Sequence, residues 1–260
     1  MTQEAPFRIE VGQRSDVGRV RAENQDSATA SYAIPVMPLA SKGRLLVVAD
    51  GMGGQSGGAT ASRLATATVK DSYYFGPEQD LAESLRVAIA NANQKINSEA
   101  AADESLVGMG STCSALVIKD REAFFGHVGD SRIYRVRDGE IEQLTEDHSV
   151  VAALVKGGLI TSEQAAKHPA RNQLMRAIGP LPLVDIDISP LFPIRENDVF
   201  ILCSDGLHGV VTAEEIRDVC LEETPQAAVE KLVELALSRG APDNVTVIVA
   251  RIEAPALAAV

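Results

Sequence analysis

Short apolar runs, each closed by a glycine or another turn residue, recur along the chain: FRIEV, RLLVVA, CSALVI, EAFFGHV, RIYRVR, EIEQL, VFILC and NVTVIVARI. Their length and their β-branched and aromatic content predict strands. Several are joined by only a few residues, which favours antiparallel neighbours over parallel crossovers. Asp138-Gly139, between RIYRVR and EIEQL, is a strong type I′ hairpin signal. Residues 119–121 make a similarly tight link between CSALVI and EAFFGHV. Helical spacing is predicted over 59–73 and 81–100. Thr212 and Glu215 form a capping box that starts another helix, and Thr224-Pro225 and Gly240 start and stop the last one. The helices thus fall in pairs separated by a block of strands, an α+β arrangement in layers rather than alternating βαβ.

One segment stands apart. Residues 148–179 read as two short helices, the second capped by Thr161 through Gln164, and carry Lys156, Lys167, Arg171 and Arg176. It is either an insertion bordering a functional site or an ordinary helical hairpin on the core.

Composition narrows the function classes. The 260 residues are 45% hydrophobic, enough for a sizeable core. A net charge of −12 disfavours nucleic acid and anionic membrane surfaces as partners. No apolar stretch is long enough to span a bilayer, and the N-terminus does not read as a signal peptide. Cys113, Cys203 and Cys220 are an odd, widely spaced set in apolar surroundings, as expected of reduced thiols in a cytoplasmic protein.

The candidate chemistry lies where apolar runs stop. Asp50 in VVADG, Asp130 in VGDSR, Asp205 in LCSDG and Asp243 in APDNV all sit at strand ends, and Asp26 in RAENQD is a fifth member of the set. Carboxylates brought together in a fold need a cation to neutralise them. An all-oxygen site suits magnesium or manganese, and a pair of such ions could clamp a phosphoryl group. Gly51 lets the backbone approach a cation closely. Arg21, five residues before Asp26, carries a fork suited to phosphate, though a surface arginine is the plain alternative. The glycine stretch 51–58 fits neither dinucleotide nor Walker spacing and reads as a tightly packed loop. His127, His148, His168 and His208 lack zinc-hydrolase spacing and read as structural.

Taken in order, RAENQDS, VVADGMGGQSGG, GMGST, GHVGDSRIYRVRDG, LTEDHS, ILCSDGL and APDNVTVIV resemble the metal-dependent protein phosphatases (the PPM group, or protein phosphatase 2C) in their compact bacterial form. The resemblance spans about residues 8–252. It implies a four-layer α-β-β-α sandwich of two antiparallel sheets flanked by helix pairs, with one catalytic domain over 1–255, a flap at 148–179 and a frayed tail at 256–260. It implies a phosphoserine/phosphothreonine phosphatase that opposes a Ser/Thr kinase, acts on phosphorylated proteins as a monomer and uses two Mn2+ or Mg2+ ions. In that scheme Asp50 bridges the ions and positions a hydroxide that attacks phosphorus directly. The Gly51 carbonyl, Asp205 and Asp243 complete the first ion, Asp26 supports the second, and Asp130 with Asp205 holds a third, weaker one. Arg21 holds the substrate phosphate. Met52 and Gln55 stand where many members place a histidine acid, and Gln25 replaces an acidic residue seen in some. Two rivals remain: a pseudophosphatase that only binds phosphoproteins, and a hydrolase of small phosphoesters.

Overall fold

The run RLLVVA belongs to strand β3 (Arg44–Met52), which has no polar face because both of its faces are covered. The computed structural model describes residues 7–31, 42–53 and 57–255; Gln55 and the 256–260 tail lie outside them. Leu45, Val47 and Ala49 point into a core shared with helices. Leu46 and Val48 point the opposite way, into a core shared with a second sheet. Side-chain alternation along extended backbone divides them.

The sheet containing β3 also has β2 (Asp26–Ala30), β5 (Cys113–Lys119), β6 (Glu122–Val128) and β10 (Phe192–Pro193). Its order is β10-β6-β5-β3-β2, with β4 (Gly110–Ser111) beside β3 and β9 (Asp187–Ile188) beside β6. The second sheet comprises β1 (Arg8–Asp16), β7 (Arg132–Arg137), β8 (Glu140–Gln143), β11 (Val199–Cys203) and β12 (Val245–Glu253), in the order β1-β12-β11-β7-β8. Every strand pairing is antiparallel.

Helices α1 (Gly57–Phe75) and α2 (Leu81–Ala102) cover the outer face of the first sheet. Two short helices, α3 (Val150–Lys156) and α4 (Ser162–Ala166), occupy 148–179. A single turn, α5 (Asp205–His208), follows β11. Helices α6 (Ala213–Glu222) and α7 (Pro225–Ser238) cover the second sheet. The layers are therefore α-β-β-α, with Phe200, Leu202 and Ile248 meeting Leu46, Val48 and Leu116 between the sheets. Helix α7 packs so closely on β1 that a Cβ on Gly12 would lie 2.4 Å from the Pro225 carbonyl.

Local chemistry explains the boundaries. The capping boxes at Thr161 and Thr212 both form, and Pro225 opens α7 behind a Thr224 cap. Asp138 and Gly139 have φ of 53° and 81°, the two left-handed residues of a type I′ turn. In the other tight link only Asp120 takes positive φ, at 55°. Strand β2 has no counterpart in the hydrophobic pattern. Its sequence, DSATA, is small and polar, and each residue is only half-buried at the sheet edge.

Candidate active site

Antiparallel neighbours put the end of one strand beside the start of the next, and this gathers the predicted aspartates. Asp50 lies near the end of β3, and Asp26 opens β2 directly opposite it in the register. Asp205 follows β11, Asp243 precedes β12, and those strands are paired. Asp130 sits in the turn from β6 to β7, after Gly129 at φ 115°. Arg21, Asp50, Gly51, Asp130, Asp205 and Asp243 all line one cavity of about 220 Å3. Asp26 is not on its wall; it stands behind Asp50 on the neighbouring strand.

Asp50 is locked through its backbone, whereas Asp26 and Asp243 are held through their carboxylate oxygens. The Asp50 amide donates to Thr112 Oγ1 at 2.8 Å, and its carbonyl accepts from the Thr112 amide at 2.8 Å and from Ser111 Oγ at 2.9 Å. Ser204 Oγ donates to Asp26 Oδ2 at 2.7 Å. Asp243 Oδ2 accepts from Arg21 Nη2 at 2.6 Å, and its Oδ1 accepts from the Asn244 amide at 2.9 Å. The buried Asn244 side chain pins the loop that carries Arg21 and Asp26. Its Oδ1 accepts from the Gln25 amide at 2.8 Å, and its Nδ2 donates to the carbonyls of Val17 at 2.8 Å and Glu23 at 3.0 Å.

The two ends of the glycine stretch, Gly51 and Gly58, pack against each other. A Cβ on Gly51 would lie 2.0 Å from the Gly58 carbonyl oxygen, so the first turn of α1 sits directly against the Asp50 turn.

The carboxylates of the site repel one another. Burial, then repulsion from Asp26, Asp205, Asp130 and Asp243, pushes the Asp50 carboxyl well above its usual range. Burial is also the main cause of the raised values of Asp26 and Asp205. Asp130 is pushed up to about 7 by burial and then by Asp205. Asp26 Oδ1 and Asp205 Oδ1 are buried with no hydrogen-bond partner. Such orphaned acceptors are rare and unfavourable. A hard divalent cation would satisfy both oxygens and offset the repulsion, so the donor set fits one. As they stand, no three acidic, imidazole or thiol side chains among the described residues converge closely enough to chelate an ion.

Ser111, Thr112, Ser204 and Asn244 are the supports that sequence reasoning missed. The GMGST and APDNV motifs contain three of them, but their role lies in hydrogen bonds that no periodicity reports. None of the four histidines lines the small cavity; Met52 does, 37% exposed. His208, half-buried and pushed down to about 4 chiefly by desolvation, donates from Nε2 to the Asp130 carbonyl at 3.0 Å.

The family model for protein phosphatase 2C matches residues 20–239. The serine/threonine protein phosphatase PstP of Mycobacterium tuberculosis is 39% identical over 91% of this chain, which spans only 44% of that relative's length. Protein phosphatase PhpP of Streptococcus pneumoniae is 35% identical over 92% of this chain and 96% of its own. Among solved structures, the PstP catalytic domain in complex with two manganese ions superposes with a TM-score of 0.82, at 35% identity, covering 95% of this chain and 100% of that one. The phosphatase Stp1 of Staphylococcus aureus gives a TM-score of 0.86, at 34% identity, over 98% and 99% of the two chains.

Proposed function

For this chain, which belongs to the protein phosphatase 2C family, we propose the activity of a metal-dependent phosphoserine/phosphothreonine protein phosphatase that opposes a Ser/Thr kinase. The observation that carries the reading is the gathering of mutually repelling aspartates at strand ends, two of them with buried, partnerless oxygens. The manganese pair in the PstP relative supports the same metal class here.

Asp50, with the Gly51 carbonyl, Asp205 and Asp243, would hold one ion; Asp50 with Asp26 would hold the other. Asp130 and Asp205 would share a third. When bound, Mn2+ or Mg2+ supplies Lewis acidity at the phosphoryl oxygens and lowers the pKa of the attacking water, so hydrolysis is direct. Asp50 would be common to both ions, and its backbone is held by Ser111 and Thr112. Arg21 is half-exposed at the cavity, with Nη2 on Asp243 and the rest of its fork available to phosphate. Met52 has no proton to donate, so the leaving alkoxide takes its proton from elsewhere.

Phosphorylated proteins are the substrate class, and the chain acts as a monomer. Three free, buried thiols suit a reducing cytoplasm. Among the described residues no helix is long and apolar enough to cross a membrane.

The test compares hydrolysis of an aryl phosphate, phosphoserine and phosphothreonine peptides, and small metabolite phosphates, with manganese and with chelator. The reading expects manganese-dependent turnover, with the phosphopeptides preferred over metabolites. A well-folded protein that stays inactive in manganese would instead be a phosphoprotein-binding module.

A further inference from the structure

Of the four cations in 148–179, three are committed. Lys156 is bound to Glu146, at 2.6 and 2.8 Å, Lys167 to Glu163, and Arg176 to Asp187. The Arg171 side chain has no hydrogen-bond or ion-pair partner among the described residues. It lines a second, larger cavity of about 760 Å3 between the flap helices and the β7–β8 side of the core.

That cavity is continuous with the aspartate site, because Asp130, Asn172 and Asp205 line both. Its flap wall carries an apolar patch, Val151, Ala152 and Val155 of α3 with Ala165 and Ala166 of α4, beside polar residues of the same segment. Neither flap helix has a fully buried residue, so this apolar wall is not consumed by packing within the protein. The core wall is polar but internally paired. Arg132 spends its fork on Asp147, at 2.9 Å from Nε and 2.7 Å from Nη2, and gives Nη1 to the Tyr134 hydroxyl. Among the described residues lining this cavity, outside the aspartates of the site, Arg171 is the uncompensated charge, next in sequence to the Asn172 that lines both cavities.

The small cavity is sized for a phosphoryl group and the large one for the chain that carries it. We propose, on the reading that this is a phosphoprotein phosphatase, that the larger cavity docks the polypeptide segment flanking the phosphorylated residue. Arg171 pairs there with an Asp or Glu side chain close to that residue, while α3 and α4 cover its apolar neighbours. The acidic flank is the commitment. In a chain of net charge −12, an unpaired cation in the adjoining cavity selects against basic flanks and for acidic ones.

The experiment measures kcat/KM on phosphothreonine peptides that carry Asp, Ala or Lys at each flanking position in turn. At one or more positions the wild type is expected to prefer Asp over Ala by about three- to fivefold, as a partly exposed ion pair allows. Raising ionic strength should shrink that ratio. Arg171→Gln is expected to abolish the ratio, and Arg171→Glu to reverse it toward Lys. Arg171 is exposed, so thermal melts should show these variants as folded as the wild type. An Asp/Ala ratio near one, or one identical in wild type and Arg171→Gln, overturns the proposal and leaves the cavity to a small ligand. Turnover of p-nitrophenyl phosphate by the wild type separates the failures. Its absence sinks the phosphatase reading, whereas turnover without charge selectivity sinks only the groove.

Discussion

Replacing Asp205 by Asn should make the metal-free protein more stable while removing most of its activity. Asp205 is pushed from 3.8 up to about 6 by burial and then by Asp243, and its Oδ1 has no partner. A carboxyl raised in the folded state contributes stability below its unfolded pKa, and that contribution is lost as pH rises through the folded value. At pH 7.5 the charge therefore destabilises the fold, by an upper bound of roughly 3 kcal/mol. Neighbouring carboxyls exchange protons with it, so about 1–2 kcal/mol should remain for the neutral amide to recover. For a chain this long that is a rise in Tm of roughly 2–8 °C. Saturating manganese should invert the ranking. The wild type gains about 2.7 kcal/mol at a hundredfold excess over Kd, whereas the variant lacks a ligand and gains less. Thermal melts of both proteins in EDTA and in manganese, read by circular dichroism, make the comparison. A variant that melts below wild type in EDTA, yet shifts equally with manganese, would refute the reasoning.

Arg21→Ala should raise KM for phosphopeptides and weaken inhibition by inorganic phosphate by roughly 10–100-fold, the worth of a charge-assisted hydrogen bond; an unchanged phosphate inhibition constant would remove Arg21 from the phosphate site. Asn244→Ala loses three part-buried hydrogen bonds. It should lower stability by about 3 kcal/mol, and a denaturant midpoint close to wild type would show that the loop is held otherwise. His127 is fully buried and pushed down to about 4, first by burial and then by His148. The unfolded chain takes up that proton near pH 6.5 and the folded one only near 4, so stability should fall as pH drops through this window, by up to about 3 kcal/mol. His127→Asn should flatten the fall in urea titrations, and an equal slope in both proteins would assign it to other groups.

The long strands were legible because their burial writes itself into the sequence. RLLVVA is apolar on both faces because it lies between two layers, and VFILC does the same in the other sheet. Helix starts at Thr161, Thr212 and Thr224 were legible from capping chemistry, which is local. Strand β2 was not, because a half-buried edge strand of small residues needs no hydrophobic signature. The two-residue pairings of β4, β9 and β10 are too short to leave one. Strand ends pointed to Asp50, Asp130, Asp205 and Asp243, whereas Asp26 stood out only through its motif. The supporting hydroxyls and Asn244 are invisible to any pattern, since one buried amide can hold a loop with no change in composition. The flap groove is likewise a product of tertiary packing, and Arg171 becomes distinctive only once its fellow cations are seen to be paired.

Phosphate release from a phosphothreonine peptide, followed in manganese and again after chelation, tests the central claim most directly. The account predicts steady turnover in millimolar manganese, its loss in EDTA and its return when the ion is restored. Turnover that persists in EDTA, or a folded protein that releases no phosphate in manganese, would contradict it.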